Sequence, residues 1–228
     1  RGADCVVMKE YVEQVNDNTI RFIGKDTKSN ICYKGEDVKA GSQLLKQGER
    51  LKPYHLAVLA GAGIVSVPVY DKPEVEILVT GSEVVEPDIQ LTDAKIRNSN
   101  AYQLIGQVEQ IHCMPYYKGI VADDRENLRN KISELASQFK YIILTGGASV
   151  GELDLVPSVL DELGFDILFD KVAIQPGKPM CFAKRDDVYC FGLSGNPVSS
   201  YFQFAFIASE LFQRASGANH NIQEIELI

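Results

Sequence analysis

The residues best suited to chemistry lie in four short segments rich in glycine, hydroxyl groups and charge. These segments are Thr80–Glu83 (TGSE), Thr145–Asp154 (TGGASVGELD), Gln175–Pro179 (QPGKP) and Gly192–Pro197 (GLSGNP). Adjacent glycines let backbone N–H groups approach an anion, and the N-terminus of a following helix adds a favourable field. Hydroxyl groups and one lysine supply further donors. The segments therefore predict a site for a phosphate or another oxyanion.

Two carboxylates, Glu83 and Asp154, fall among these anion-binding groups. A carboxylate would repel a phosphate unless a divalent cation lay between them, and Mg²⁺ prefers oxygen ligands. The sequence therefore favours both as Mg²⁺ ligands in a site that holds or cleaves phosphate, with Lys178 facing the anion. Plainer interpretations stay open: Asp154 as a helix N-cap, Glu83 and Lys178 as solvated surface charges, and the paired glycines as a simple turn.

Several other kinds of site are disfavoured by the sequence. There is no GxxxxGK[ST] motif, which excludes a P-loop, and no His falls in the four segments, which disfavours a Ser-His hydrolase. Five scattered Cys with no CxxC, and only three His, indicate neither a disulfide framework nor a structural zinc site. Such cysteine usage suits a reducing compartment, so we expect a cytoplasmic protein.

Charge and hydropathy exclude two further classes of partner. The 228 residues include 23 Lys+Arg against 31 Asp+Glu, a formal charge of −8, which argues against a nucleic-acid binder. The apolar stretches are too short to span a membrane, so no membrane partner is expected. At 45% apolar residues the chain has enough hydrophobic side chains for a substantial core.

From residue 74 onward the pattern alternates between strands and helices. The predicted strands are Val75–Thr80, Met114–Val121 and Tyr141–Thr145, with a hairpin of Met180–Lys184 and Val188–Gly192. The predicted helices are Ser99–Gln110, Asp123–Phe139, Asp154–Leu163 and Pro197–Phe212. Repeated βαβ units imply an α/β fold with an open, mostly parallel sheet between helices. Ligands bind beyond the carboxyl ends of such strands, so the four segments should converge at one edge.

The first 73 residues have a different pattern, rich in strands and turns. Val6–Val15 and Thr19–Ile23 flank a hairpin signal at Asn16-Asp17-Asn18, Pro53–Ala62 suits a short helix, and Ile64–Tyr70 reads as an edge strand containing Pro68. We therefore expect a partial β-rich domain over residues 1–73 and an α/β domain over residues 74–217.

The sequence resembles the MoeA-type molybdopterin molybdenumtransferases, the family that includes the E domain of gephyrin. The resemblance is carried by LVTGSEVVEP (78–87), LTGGASVGELD (144–154), QPGKP (175–179) and GLSGNPVSS (192–200). RGADCVVMKEYVE (1–13) and GEDVKAG (35–41) resemble the β-rich linker domain of that family. The resemblance covers nearly the whole chain and implies a three-layer molybdopterin-binding fold, preceded by a partial β-rich linker domain.

The resemblance also implies an activity and a set of site residues. The activity is Mg²⁺-dependent cleavage of adenylylated molybdopterin with insertion of molybdate into the dithiolene, carried out by a homodimer. Catalytic roles are implied for Glu83, Asp154 and Lys178, the two acids also binding the metal. The implied cofactor-binding residues are Thr80, Gly81, Ser82, Thr145, Gly146, Gly147, Ser149, Pro176, Gly177, Pro179, Ser194, Gly195, Asn196 and Ser199.

The sequence departs from this family in ways that keep alternatives open. It lacks a PFDNSAMDGYA-like stretch and opens at Arg1, so we expect a piece of a longer protein, with residues 218–228 beginning a C-terminal β domain. Ser194 stands where the family usually has Pro, and Gln175 where Lys is common. The alternatives are a molybdopterin adenylyltransferase or related nucleotide-processing enzyme, and a non-catalytic scaffold like gephyrin.

Overall fold

The structure, a computed structural model, describes residues 2–25, 28–146 and 155–218. The chain divides into two units, one of residues 1–47 with 51–67 and the other of residues 48–50 with 68–228. The predicted C-terminal segment 218–228 lies outside the described residues apart from Ala218.

The first unit contains a β-hairpin and a helix among its described residues. A 3₁₀ turn at Lys9–Tyr11 leads into β1 (Val12–Asn16), which pairs antiparallel with β2 (Thr19–Phe22). Helix α1 (Pro53–Gly61) has its proline in the first turn, where a missing N–H costs no hydrogen bond. The predicted hairpin and helix are confirmed, although the strand expected over Val6–Val15 is regular only from Val12.

The strand predicted over Ile64–Tyr70 was wrong. This segment forms no regular element in the structure, and its Val65 side chain is 99% exposed. Pro68 has no N–H to donate to a neighbouring strand. The alternating valines therefore do not indicate a strand here, because no neighbouring strand pairs with this segment in the described part of the chain.

The second unit is built on a six-stranded sheet with the order β6-β3-β7-β10-β9-β8. The strands of this unit are β3 (Glu74–Thr80), β4 (Val84–Val85), β5 (Ile96–Arg97), β6 (Met114–Val121), β7 (Tyr141–Thr145), β8 (Asp166–Lys171), β9 (Pro179–Arg185) and β10 (Val188–Leu193). Within the six-stranded sheet only β9 runs against its neighbours. The mostly parallel sheet and the β9–β10 hairpin are confirmed.

Helices cover both faces of this sheet. They are α2 (Asn100–Gln110), α3 (Arg125–Gln138), α4 (Leu155–Glu162), α5 (Pro197–Gln203) and α6 (Ser209–Ala215). Val75, Ile77 and Val79 of β3 pack in one core with α2, Phe204 and α6, whereas Leu78 packs in a second core with α3 and α4. This alternation along one strand produces the three predicted layers. No helix in the described part of the chain is long and apolar enough to cross a bilayer.

Two details of this unit were not predicted. Strand β8 pairs antiparallel with β9 at the edge of the sheet, and its alternating partial burial gave only a weak pattern. The long C-terminal helix contains a π-helical turn at Phe204–Ala208 between α5 and α6. A π turn depends on i→i+5 hydrogen bonds and has no simple signature in sequence periodicity.

Candidate ligand site at the carboxyl edge of the sheet

Strand register brings the described parts of the four segments to one edge. Val79 of β3 is level with Thr145 of β7, which is level with Leu193 of β10. The segments after these strands therefore begin side by side. The Gln175–Pro179 segment precedes β9, which runs antiparallel to β10, so it reaches the same edge from the opposite direction. The convergence predicted from the sequence is confirmed for these segments.

Gly146 lies where no larger residue fits. Its φ is +113°, which L-residues rarely adopt. A Cβ at this position would overlap the carbonyl oxygen of Thr80 and lie 2.6 Å from Thr80 Oγ1. Glycine therefore allows the β3 and β7 ends to touch.

Asn100, which was not singled out from the sequence, joins two of these strand ends. Its side-chain amide donates to Thr145 Oγ1 at 2.9 Å, to the Ser194 carbonyl at 3.3 Å and to the Gly195 carbonyl at 3.0 Å. Thr145 Oγ1 itself donates to the Ser194 carbonyl at 3.1 Å. Asn100 therefore holds the β7 and β10 ends together from the first turn of α2.

Gln203 is a second residue that sequence reasoning missed. Its side-chain oxygen accepts from the Ser194 amide at 2.7 Å, and its amide nitrogen donates to the carbonyls of Gly177 at 2.8 Å and Pro179 at 2.6 Å. Since Gln203 lies at the end of α5 and 26 residues from Gly177, no local pattern relates them. Its only signal was a polar residue inside a long apolar helix.

Two buried polar atoms at this edge have no hydrogen-bond partner among the described residues. They are Oδ1 of Asn100, whose residue is 7% exposed, and Oγ1 of Thr80, whose residue is 1% exposed. An unpartnered buried polar atom costs free energy, so such atoms usually face water or a ligand. One can accept and the other can both donate and accept, which suits a polar ligand bound at the edge.

The segment after β3 is held by neighbouring loops. The Ser82 hydroxyl accepts from the Asp123 amide at 3.1 Å, while the Ser82 amide donates to Asp123 Oδ2 at 3.3 Å. Lys95 donates to the Ser82 carbonyl at 2.6 Å. Glu83 is exposed, and its Oε2 lies 3.1 Å from the place that a Cβ on Gly81 would occupy. The Ser82 side chain, predicted to bind cofactor, therefore has a loop-anchoring bond.

Further along this segment, two tyrosines hold Glu86. Tyr117 donates to Glu86 Oε1 at 2.5 Å and Tyr102 donates to Oε2 at 3.2 Å, while Asn98 donates to the Tyr117 hydroxyl at 2.8 Å. Burial and the adjacent Glu86 carboxylate raise the pKa of Tyr117, so its hydroxyl stays protonated as a donor. These bonds fix the path of the chain beyond Glu83.

The two remaining segments present different groups at the edge. Lys178 is exposed, and no carboxylate among the described residues lies within ion-pair distance of it. Pro176 is exposed and Pro179 opens β9. The Asn196 side chain caps α5 by accepting from the amides of Val198 at 3.0 Å and Ser199 at 3.2 Å, and Ser199 is buried. Lys178 is therefore available to an anion, whereas the Asn196 oxygen already has helix donors.

The remaining predicted residues, Gly147, Ser149 and Asp154, lie outside the described residues. The proposed pairing of Glu83 with Asp154 around Mg²⁺ is accordingly still a prediction. Over residues 2–25, 28–146 and 155–218, no group of three or more His, Cys, Asp or Glu side chains is arranged to hold a metal ion.

Two family models match successive parts of the sequence. Residues 1–63 match the MoeA N-terminal region (domain I and II), and residues 76–214 match the probable molybdopterin binding domain. The second match contains all four segments of the site, including the portion that the structure does not describe.

Individual relatives agree with these matches. A molybdopterin molybdenumtransferase from Bacillus subtilis is 38% identical over 216 residues, which cover 93% of this chain and 50% of the relative. A putative molybdopterin biosynthesis protein from Methanocaldococcus jannaschii is 38% identical over 220 residues, covering 93% of this chain and 55% of the relative. The chain thus spans about half the length of the curated relatives it matches.

Solved structures show the same relationship. Two crystal structures of a molybdopterin biosynthesis MoeA protein from Pyrococcus horikoshii have TM-scores of 0.76 and 0.69 to this chain, at 32% and 30% identity. The two alignments cover 94% and 96% of this chain and 53% of each crystallised chain. The fold expected from the sequence is therefore confirmed.

Proposed function

We propose that this chain, which belongs to the family of probable molybdopterin binding domains, contributes the pterin-binding site of a molybdopterin molybdenumtransferase. One observation carries the proposal. Asn100, Thr145 and Ser194 lock two strand ends together beside the exposed Lys178, and two buried polar atoms are left facing no partner in the described chain. Such an edge suits a ligand with both polar ring atoms and a phosphate.

The proposed substrate is adenylylated molybdopterin. Its phosphates carry negative charge, which Lys178 would partly neutralise, and its pterin ring carries N–H donors and acceptors that suit the polar groups of this edge. In the proposed reaction, water cleaves the phosphoanhydride bond of adenylylated molybdopterin, which releases AMP and leaves the phosphate on the pterin. Molybdate binds the two dithiolene sulfurs, and the thiol protons leave with displaced oxygen as water.

Mg²⁺ is part of this proposal through Glu83 and Asp154. When bound, the ion would screen the phosphate charge from these two carboxylates and polarise the phosphate that is cleaved. Glu83 is exposed at the same edge as Lys178, so a hydrated cation has access to it.

We also propose the wider organisation of the protein. Residues 1–73 would form a partial β-rich domain, residues 74–217 the pterin-binding domain and residues 218–228 the beginning of another β domain. A cytoplasmic homodimer is proposed on the basis of the family resemblance. The match of residues 1–63 to the MoeA N-terminal region favours the molybdenum-inserting enzymes over the adenylyltransferases.

Ligand binding tests the proposal with a charge-matched pair of variants. Titration calorimetry with adenylylated molybdopterin and Mg²⁺ should show binding, weakened about tenfold or more in Lys178→Ala, because a charge-assisted contact is lost. Lys140→Ala, which removes an exposed lysine at the opposite end of β7, should bind like the wild type. If both substitutions changed the affinity equally, Lys178 would not be the residue that contacts the anion.

The metal and the chemistry need a second measurement. Glu83→Gln and Asp154→Asn should each abolish Mg²⁺-dependent AMP release, which chromatography measures. The circular dichroism spectrum of each variant should match that of the wild type. AMP release that is unaffected by both substitutions would refute the assignment of the carboxylates.

A further inference from the structure

We propose that Gln203 is a positioning residue that fixes the segment carrying Lys178 against the turn at Ser194, so that both present their groups to one ligand. The proposal rests on the proposed function for its ligand, but the coupling of the two segments can be tested without any ligand. Gln203 is fully buried and acts through the backbone of other residues.

The contacts of Gln203 use its amide group from both ends. Its oxygen accepts the Ser194 N–H, and its nitrogen donates to two carbonyls, those of Gly177 and Pro179, which flank Lys178. A glutamine amide offers two donor hydrogens and one acceptor oxygen in one plane. The site therefore matches an amide, whereas a carboxylate or a thioether of similar size would leave carbonyls or an N–H unpaired.

The helix end that carries Gln203 is firmly anchored. Gln203 is 0% exposed, the next residue Phe204 is 1% exposed, and Phe204 packs in the core that also contains Phe212 and Leu193. A buried amide on a fixed backbone holds its partners more closely than an exposed one, because its rotamers are restricted by packing. Gln203 is therefore a rigid support for two loops.

The two loops approach Gln203 closely enough to depend on it. Gly177 has φ +112°, and a Cβ there would lie 3.2 Å from Gln203 Cγ, so the glycine backbone rests against the glutamine stem. The Ser194 peptide is held on both sides, its N–H by Gln203 and its carbonyl by Asn100 and Thr145. A continuous set of bonds therefore runs from the backbone beside Lys178 to the end of β7.

A matched pair of glutamines isolates this role. Gln203→Met keeps volume but removes all three bonds, whereas Gln107→Met removes a bond from a similarly buried glutamine, on α2, to the Tyr201 carbonyl of the same helix α5. Both substitutions delete buried hydrogen bonds next to α5, and only the first touches the loops. Thermal unfolding of both variants records any general loss of stability.

Hydrogen exchange without ligand tests the coupling itself. Gln203→Met should speed amide exchange about tenfold in peptides covering 175–179 and 192–197, and Gln107→Met should leave both unchanged. If the two segments exchange at the wild-type rate in Gln203→Met, the coupling does not exist. This result stands whether or not the chain binds adenylylated molybdopterin, so failure of the proposed function is a separate outcome, seen as no binding by the wild type.

Binding tests whether the coupling serves the site. Adenylylated molybdopterin should bind about tenfold more weakly to Gln203→Met than to Gln107→Met. In a Lys178→Ala background, Gln203→Met should add a smaller loss than it does in the wild type, because one of the two groups that it positions is gone. Wild-type affinity in Gln203→Met, or a full additional loss in the double variant, would overturn the positioning role.

Gln203→Glu supplies a readout that loss of packing alone would not move. At a pH high enough to ionise it, the new carboxylate would face the carbonyls of Gly177 and Pro179 with no hydrogen to donate, and binding should fall below that of Gln203→Met. As the pH falls and the carboxyl gains a proton, it can donate one bond again, and the affinity should partly recover relative to Gln203→Met. A ratio between the two variants that is independent of pH would contradict the proposal.

Discussion

The two ends of the central sheet contain different kinds of buried polar side chain. At the carboxyl edge the buried polar side chains are neutral amides and hydroxyls, chiefly Asn100, Thr145 and Gln203. Toward the amino end, Glu76 of β3 is 0% exposed, and the Lys118 ammonium lies 2.9 Å from its Oε2. The other carboxylate oxygen, Oε1, is buried and has no hydrogen-bond partner among the described residues.

This difference has a physical consequence. Burial raises the pKa of Glu76, although Lys118 acts in the opposite direction, so the amino end contributes a pH-dependent free energy. The carboxyl edge depends instead on the directions of dipoles and on glycine backbones, which pH does not change. A site that must bind a charged ligand over a range of pH gains from being held by neutral groups.

Gly146→Ala should break the carboxyl edge with the largest effect. The new methyl group would overlap the Thr80 carbonyl and the backbone φ of +113° would be strained, so unfolding in urea should show a loss of more than about 3 kcal/mol. Gly106→Ala in α2 is the control, because nothing lies within 4 Å of its Cβ and helix propensity should raise stability by about 0.5–1 kcal/mol. A small loss in Gly146→Ala would mean that the β3 and β7 ends separate readily.

Lys118→Met should break the amino end with a somewhat smaller effect. Removing one partner of a largely buried ion pair leaves Glu76 uncompensated, and the loss in urea unfolding at pH 7 should be about 2–3 kcal/mol. The loss should shrink as the pH is lowered, because Glu76 then becomes neutral.

Glu76→Gln provides the sign of the pH dependence. The folded pKa of Glu76 is raised, so its favourable contribution is fully present below the unfolded pKa and is lost as the pH rises through the folded pKa. Stability of the wild type relative to Glu76→Gln should therefore fall with rising pH over that window. A pH-independent difference would remove the contrast between the two ends.

Asp186→Gly should have the smallest effect on stability. It tests whether a local change at the amino end of the sheet leaves the carboxyl edge unaffected. Asp186 turns the β9–β10 hairpin at the amino end with φ +52°, a conformation that glycine adopts more easily, although glycine loses more entropy on folding. The free energy of unfolding measured in urea should change by no more than about 0.5 kcal/mol, and the affinity for the proposed ligand should not change. A change in affinity would show that the two ends are coupled.

Sequence patterns predicted most strands of the six-stranded sheet. The apolar run Tyr141–Thr145 agrees with the structure because such runs bounded by turn residues are typical of buried strands, and Met114–Val121 was predicted although it lies at one edge. Strand β8, at the other edge, was missed and the strand predicted over Ile64–Tyr70 does not form, since an edge strand has little burial and its existence depends on a neighbour. Pairing of this kind is decided by register rather than by composition.

The same distinction applies to the site. Glycine-rich turns such as Thr145–Gly146 and Gly192–Pro197 were recognisable, because their backbone requirements are local. Asn100 and Gln203 were not, because most of their partners lie far along the chain: Thr145 is 45 residues from Asn100, and Pro179 and Gly177 are 24 and 26 residues from Gln203. The sequence shows that both side chains are polar, but it does not show which groups they bind.

By itself, the sequence determined the α/β class, the family and the segments that meet at the ligand edge, because alternating patterns and glycine turns act over a few residues. Only the tertiary structure decided how those segments are held. Asn100 and Gln203 acquire their roles when α2 packs against α5, and α5 against β10, which brings their amides to carbonyls at the strand ends. Hydrogen bonds need a direction and a distance, and the packed layers supply both.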